Sequence, residues 1–231
     1  MNPTEQALDD LVVATRILVN EQVIDGFGHV SVRDPVRSDR YFMTRSNFVV
    51  SPDAEALVEL DLESNPVRAG GQRPSIERFI HGEIYRARPD VNAVVHTHAP
   101  ALIPFGVSRV PLRPLYHMCG FLAAGTPVFD IKTKHGVTNM LIVSRELGQD
   151  LATRLGKSAM VLMRGHGASV VGGSVREAVF RAVYATVNAQ LQPIAMQLGE
   201  PTYLSEEEAA LTDALHGQVL SRPWDYWKSR L

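Results

Sequence analysis

Several predicted strands of this 231-residue chain follow one another through connections that are too short to hold a helix. The stretch "AMVLMRGHGASVVGG" at 159–173 reads as a strand, a glycine-rich turn and a second strand, and "HVSVR" at 29–33 is soon followed by "RYFMT" at 40–44. Parallel neighbours in a sheet need a crossover of about a dozen residues or more, whereas antiparallel neighbours need only a turn. We therefore expect a mixed α/β fold with a largely antiparallel sheet.

Helical spacing of apolar residues marks the segments between these strands. The first helix is predicted after Asn2, which can cap it, and another after Ser144. A helix beginning near Ser75 precedes the predicted strand "VNAVVHTH", and a long helix covers 174–198. In "HVSVR", the valines alternate with polar residues, which predicts a strand buried on one face only.

Composition limits the classes of function. Hydrophobic residues make up 45% of the chain and charged residues 21%, which suffices for a globular core. A net charge of −2 leaves no basic excess for nucleic-acid phosphates. The chain has a single cysteine, Cys119, no run of about 18 apolar residues and no signal-like start. We expect one domain over residues 1–231, cytoplasmic, without nucleic-acid or membrane partners.

Three histidines and a glutamate form the candidate metal site. His96 and His98 in "VVHTH" are two residues apart on a strand, so that both imidazoles point to one face. Imidazole is the commonest metal ligand of proteins, and His166 in "RGHG" offers a third. Glu77, on the preceding helix, is either a fourth ligand or a general base. The alternative is a solvated carboxylate that pairs with His81 one turn later.

Two long stretches, 74–100 and 161–190, carry these residues in an order and spacing that resemble the class II aldolase/adducin superfamily. The resemblance extends from the first helix to about residue 200. It implies a three-layer α/β/α sandwich around the sheet, and a homotetramer with active sites at subunit interfaces. It also implies one divalent metal ion per subunit, Zn²⁺ or Mn²⁺, with these roles: metal ligands His96, His98 and His166, and acid/base Glu77.

The turns that hold a sugar phosphate in the family's aldolases are altered here. The family patterns G-N-x-S, T-x-x-G and P-S-S-E correspond to "GHVS", "TRSN" and "PSIE". His29 replaces an asparagine and Ile76 a serine, and a missing donor to a phosphate costs about 1–3 kcal/mol. Arg45 can hold a carboxylate through two hydrogen bonds, or it is simply an exposed strand residue. We expect these turns to bind a small-molecule carboxylate through His29, Ser31, Arg45, Ser46 and Ser75.

The altered turns resemble the decarboxylase branch of the superfamily, which includes the hydroxy-methylpyridine-dicarboxylate and dihydroxyphthalate decarboxylases. Decarboxylation, like retro-aldol cleavage, leaves an electron pair on carbon that a metal can stabilise as an enolate. We therefore expect a metal-dependent lyase of aromatic compound catabolism that decarboxylates a hydroxylated aromatic or pyridine carboxylate. The alternatives are an aldolase or epimerase of a sugar-like substrate, phosphorylated or not, and a non-catalytic adducin-like binding domain.

A second proton carrier is predicted in "LYHMCGFLAAG". In the family's aldolases, a tyrosine of the neighbouring subunit helps to protonate the leaving carbon. Tyr116 and His117 are the alternatives for that role here, and an imidazole exchanges protons readily at neutral pH. The aromatic C-terminal segment "SRPWDYWKSRL" either closes over such an interface site or caps its own subunit's core.

Overall fold

The sheet has seven strands among the residues that the computed structural model describes, which are 2–44, 57–68 and 73–231. Its strand order is β3-β2-β1-β4-β7-β6-β5. The described strands pair antiparallel, except that β5 runs parallel to β6, which confirms the expected mixed α/β fold with a largely antiparallel sheet. The strands are β1 His29–Arg33, β2 Arg40–Thr44, β3 Leu57–Asp61, β4 Ala93–Thr97, β5 Val128–Phe129, β6 Met160–Met163 and β7 Gly167–Gly172.

Helices occupy the remaining regular parts of the described chain. Asn2 caps the first helix by accepting a hydrogen bond from the Glu5 N–H, and Ser144 caps another by accepting one from the Leu147 N–H, as predicted. The helices are α1 Pro3–Asn20, α2 Phe79–Ala87, α3 Ile103–Val107, α4 Lys132–His135, α5 Arg145–Leu155, α6 Val175–Leu198, α7 Glu206–Gln218 and α8 Ser221–Lys228, with a 3₁₀ helix at His117–Leu122. The helix predicted near Ser75 thus begins later, because residues 75–78 form a turn.

Alternate residues of the central strands join two different clusters of buried apolar side chains. Val30 and Val95 pack in a cluster with residues of α1 and α6, whereas Val94 packs in a second cluster with residues of α2 and α5. Strand β1 is consequently buried on both faces, and the prediction of a half-buried strand is wrong. Arg33 tolerates this burial because its guanidinium donates to backbone carbonyls, among them the Val91 and Tyr85 oxygens.

The C-terminal helix α8 closes the first cluster. Trp224 and Trp227 are almost completely buried there, against residues of α1 and α6, so that both rings cap the core of their own subunit. Tyr226, between them, is 59% exposed. Within the described residues, no helix combines the length and the apolar character that a membrane span requires.

Gly148 is predicted to set the approach of α5 to α2. A Cβ added at this glycine would collide with the carbonyl oxygen of Phe79, so that Gly148→Ala should lower the free energy of unfolding by about 1–3 kcal/mol. Gly217 in α7 is the matched control, because an added Cβ there meets nothing within 4 Å. Gly217→Ala should leave stability unchanged or slightly raised in chemical denaturation. Equal losses in both variants would show that the helix contact is not the cause.

Candidate metal centre

Four side chains that lie far apart in the sequence meet at one end of β4. One ligand atom from each of Glu77, His96, His98 and His166 lies within 4.8 Å of the other three. His96 is the last residue but one of β4, which is buried throughout, and His98 lies two residues further on and points to the same face. The turn between β6 and β7 brings His166 beside them, and the turn before α2 contributes Glu77. The structure therefore brings together all four residues predicted for the metal site.

The imidazole nitrogens converge on a common point. The Nε2 atoms of His96 and His98 are 2.9 Å apart. His166 donates from Nδ1 to the carbonyl oxygen of Met140 over 3.1 Å, which leaves its Nε2 with a lone pair. That Nε2 is buried and has no hydrogen-bond partner in the described part of the chain. A buried nitrogen without a partner, beside two further imidazoles, is the arrangement that a bound cation would satisfy.

Burial keeps His96 and His98 neutral. Desolvation and the neighbouring imidazoles, His29 foremost, hold the pKa of His96 well below its usual range, although the charge of Glu77 opposes this shift. Burial and then the charge of His166 lower the pKa of His98. Metal ligation requires the unprotonated nitrogen, so these low pKa values favour cation binding at neutral pH.

Glu77 is ionised and held at a defined orientation. Its Oε1 accepts a hydrogen bond of 2.9 Å from the Ile142 N–H, while Oε2 lies 3.5 Å from Nε2 of His166 and 3.7 Å from Nε2 of His96. Burial acts to raise its pKa, but the neighbouring His166 and His96 side chains and the hydrogen bond from the Ile142 N–H lower it to about 2. Because Glu77 is only 5% exposed, it is not a solvated helix carboxylate.

The donor set fits a divalent ion. Three imidazole nitrogens and one carboxylate oxygen are ligands that zinc accepts, and manganese accepts the same nitrogen and oxygen donors. Met140 and Ile142 support this set through backbone atoms only, from the segment between α4 and α5. No sequence motif indicated these backbone contacts, because they depend on the path of the folded backbone rather than on side-chain type.

His29 extends the cluster along the sheet. It lies opposite His96 in the β1–β4 register, with ring centroids 4.9 Å apart. Its Nδ1 is 2.7 Å from Nε2 of His81, so that His81 faces β1 and is not the partner of Glu77 that the helical spacing allowed. Sequence reasoning missed this role of His81 and that of Tyr85. Their i,i+4 spacing, which places both side chains on one face of the helix, was the available signal.

Other predicted substrate-binding residues lie behind the cluster or outside the described residues. Ser31 is completely buried, and its hydroxyl contacts His81 and Tyr85. Ser75 is also buried, and its Oγ accepts from the Glu77 N–H, so that it supports the turn that carries Glu77. Arg45 and Ser46 lie outside the described residues.

Tyr116 and His117 are not among the four side chains that converge. Instead, His117 borders a cavity of about 730 Å³ that is also lined by Phe180, His216 and Tyr226. The ring centroids of His117 and His216 are 5.7 Å apart. The predicted second proton carrier therefore lies with α6, α7 and α8 rather than with the histidine cluster of its own chain.

Comparison with known proteins agrees with this geometry. Residues 9–192 match the family described as Class II Aldolase and Adducin N-terminal domain. The chain is 34% identical to "Decarboxylase tropJ" of Talaromyces stipitatus, covering 97% of this chain and 94% of the relative. It is 29% identical to 3,4-dihydroxyphthalate decarboxylase of Terrabacter sp., covering 94% of each chain. In fold, it is similar to L-fuculose 1-phosphate aldolase from Glaciozyma antarctica, with a TM-score of 0.79 at 21% identity, covering 98% of this chain and 88% of the other.

The geometry of the cluster predicts which histidine substitutions cause loss of bound metal. His96→Ala, His98→Ala and His166→Ala should each remove most bound metal and nearly all activity, because each loses one converging nitrogen. His135 is the matched control, since its imidazole is bonded to Asp150 outside the cluster. His135→Ala should retain full metal content when purified protein is measured by mass spectrometry for metals. Full metal occupancy in His98→Ala would contradict the assignment.

Proposed function

The chain belongs to the class II aldolase and adducin family, and from this membership we propose that it is a metal-dependent lyase that decarboxylates a hydroxylated aromatic or pyridine carboxylate. The observation that carries the proposal is the ionised Glu77 carboxylate beside three converging imidazoles. Similar relatives support the reaction class, since they include the decarboxylase of Talaromyces stipitatus and a dihydroxyphthalate decarboxylase.

The three histidines would hold the ion, Zn²⁺ or Mn²⁺. When bound, a divalent ion supplies a Lewis acid that stabilises the electron pair left by carbon–carbon bond cleavage. The protein contributes fixed imidazole orientations, through the bond from His166 Nδ1 to Met140 and the contact of 3.4 Å between His96 Nδ1 and the Ser169 hydroxyl. Burial of His96 also excludes water from the reacting side.

Glu77 is proposed to move the proton. With Oε1 held by the Ile142 N–H, Oε2 is the oxygen that faces the cluster. An ionised carboxylate takes the proton of the substrate's ring hydroxyl before carbon dioxide leaves. The same oxygen then returns this proton to the ring carbon that carried the lost carboxylate, and solvent restores the hydroxyl proton. The net reaction consumes one proton and releases one carbon dioxide.

An aldolase or epimerase acting on a sugar-like substrate is the second candidate. It is favoured by the 26% identity to an L-fuculose phosphate aldolase of Escherichia coli over 89% of this chain. It is disfavoured by Ile76, an exposed apolar side chain in the turn where the family's aldolases place a phosphate-binding serine. A non-catalytic adducin-like domain has no need of the four converging ligands. Incubation with hydroxyphthalates or pyridine carboxylates, and separately with sugar phosphates, distinguishes the decarboxylase from the aldolase or epimerase, because only the decarboxylase releases carbon dioxide.

We further propose one class II aldolase-like domain over residues 1–231, with the α1/α6 and α2/α5 groups as the outer layers of a three-layer α/β/α arrangement. The subunits are proposed to form a homotetramer with active sites at their interfaces. Support comes from the position of His117, which lines the α6–α8 cavity, and of its chain neighbour Tyr116, since neither lies in the cluster. In an assembly, either residue reaches the cluster of a neighbouring subunit.

Glu77→Gln is predicted to fold and retain metal but to lose turnover by about 10²-fold or more, the usual effect of losing an acid/base. The amide oxygen can still accept from the Ile142 N–H, which preserves the turn. Glu83→Gln is the control, because Glu83 is a buried carboxylate of α2 that pairs with Arg145 rather than with histidines. It should lower thermal stability and leave the kcat of folded protein near normal. Near-normal kcat in Glu77→Gln would demote Glu77 to a structural role.

Mixed assemblies test the interface site. His117→Ala and Glu77→Gln homotetramers should both be nearly inactive, while tetramers reassembled from the two variants should regain activity, because some interfaces then hold both intact residues. His216→Ala, which alters the neighbouring histidine of the same cavity, is the control. Tetramers reassembled from His216→Ala and Glu77→Gln should show no more activity than the His216→Ala subunits contribute by themselves. A fully active monomer in sedimentation experiments would contradict the interface site.

A further inference from the structure

A buried chain of hydrogen bonds leads from α2 to His29 at the edge of the metal cluster. The Tyr85 hydroxyl lies 2.7 Å from the Ser31 hydroxyl, which lies 2.6 Å from Nδ1 of His81. Nε2 of His81 then lies 2.7 Å from Nδ1 of His29. All four side chains are buried, so that solvent does not supply alternative partners.

The hydroxyl of Tyr85 fixes the direction of this chain. Among the described residues, the Ser31 hydroxyl is the acceptor bonded to it, because the neighbouring Val94 N–H can only donate. A buried O–H that lacks an acceptor is strongly unfavourable, so Tyr85 donates to Ser31. The single hydrogen of Ser31 is then left for Nδ1 of His81, which must accept it.

Acceptance at one nitrogen places the hydrogen on the other. Burial lowers the pKa of His81 to about 3, so the ring is neutral and carries its hydrogen on Nε2. This N–H donates to Nδ1 of His29, which therefore holds a lone pair. A neutral His29 then carries its own hydrogen on Nε2, on the side of the ring directed away from His81.

We propose that Tyr85, Ser31 and His81 are positioning residues that lock His29 in the tautomer with hydrogen on Nε2, and that this N–H donates to a carboxylate or hydroxyl oxygen of the substrate. The β1–β4 register supports the role, because it places His29 directly beside His96 on the same face. An Nε2 that carries hydrogen cannot ligate a cation, so His29 donates a hydrogen bond to the substrate instead of joining the metal ligands. The substrate-binding part of this inference rests on the proposed function.

Histidine tautomers can be read directly by NMR. In long-range ¹H–¹⁵N spectra of the zinc-loaded protein labelled at histidine, His29 and His81 should both show a protonated Nε2 and an unprotonated Nδ1. Signals are assigned with His29→Gln and His81→Gln. Hydrogen on Nδ1 of His29 in the unaltered protein would overturn the proposal.

Tyr85→Phe should release the lock. Without the phenolic hydrogen, Ser31 can donate or accept, so a population with hydrogen on Nδ1 of His29 should become visible. Ser31→Ala, which removes the bridging hydroxyl, should do the same and is the second variant if Tyr85→Phe does not fold. Tyr41→Phe is the matched control, because Tyr41 is equally buried, packs 5.2 Å from the Tyr85 ring, and donates to Ser64 instead. An unchanged tautomer pattern in both lock variants would reject the positioning role.

The donor role has its own readout, independent of turnover. Phthalate offers carboxylates but lacks a ring hydroxyl, and its addition should shift the His29 Nε2–H signal. With a substrate that the enzyme decarboxylates, Tyr85→Phe should raise KM by about tenfold, which is the effect of roughly one lost hydrogen bond. The same substitution should change kcat less. No movement of the signal at high phthalate concentration would overturn the donor role. A locked tautomer and a phthalate shift, without carbon dioxide release from any hydroxylated carboxylate, would support the inference and reject the proposed function.

Discussion

The antiparallel pairing of β4 between β1 and β7 is the constraint on which the site depends. Its register places His29, His96 and Ser169 side by side on one face of the sheet. A slip of one residue would turn His96 toward the α1/α6 cluster and leave no converging nitrogens. The apolar residues between these positions, such as Val95, hold the register by packing on the opposite face. The hydrophobic pattern that stabilises the sheet thus also determines where the polar groups meet.

A polar site of this kind is stable inside a core because nearly every group in it has a partner. Glu77 accepts from a backbone N–H, His166 donates to a backbone carbonyl, and Ser31 contacts both His81 and Tyr85. Buried polar atoms are tolerated when they are bonded, and the one left without a partner, His166 Nε2, points to where a ligand completes the set. The candidate metal centre is therefore left with an open bonding position.

Local patterns predicted the parts of the site that follow from local geometry. The period of two in "VVHTH" placed His96 and His98 on one face, and the capping residues Asn2 and Ser144 marked helix starts. Contacts between elements were less accessible. The alternation in "HVSVR" suggested one exposed face, because the polar residues opposite its valines gave no hint that α2 covers them with His81 and Tyr85. The arrangement of Tyr116 and His117 depends on packing against α6 and α7, which no short motif encodes.

The segment between α4 and α5 reaches the centre through main-chain atoms only, the Met140 carbonyl and the Ile142 N–H. Met140 adopts a left-handed backbone conformation, with φ of 68°. Over evolutionary time, the length of this segment is therefore constrained in addition to its side chains, since an insertion or deletion would shift both contacts. Ranking positions by residue identity among homologues would undervalue this segment, and alignment gaps would report its importance better.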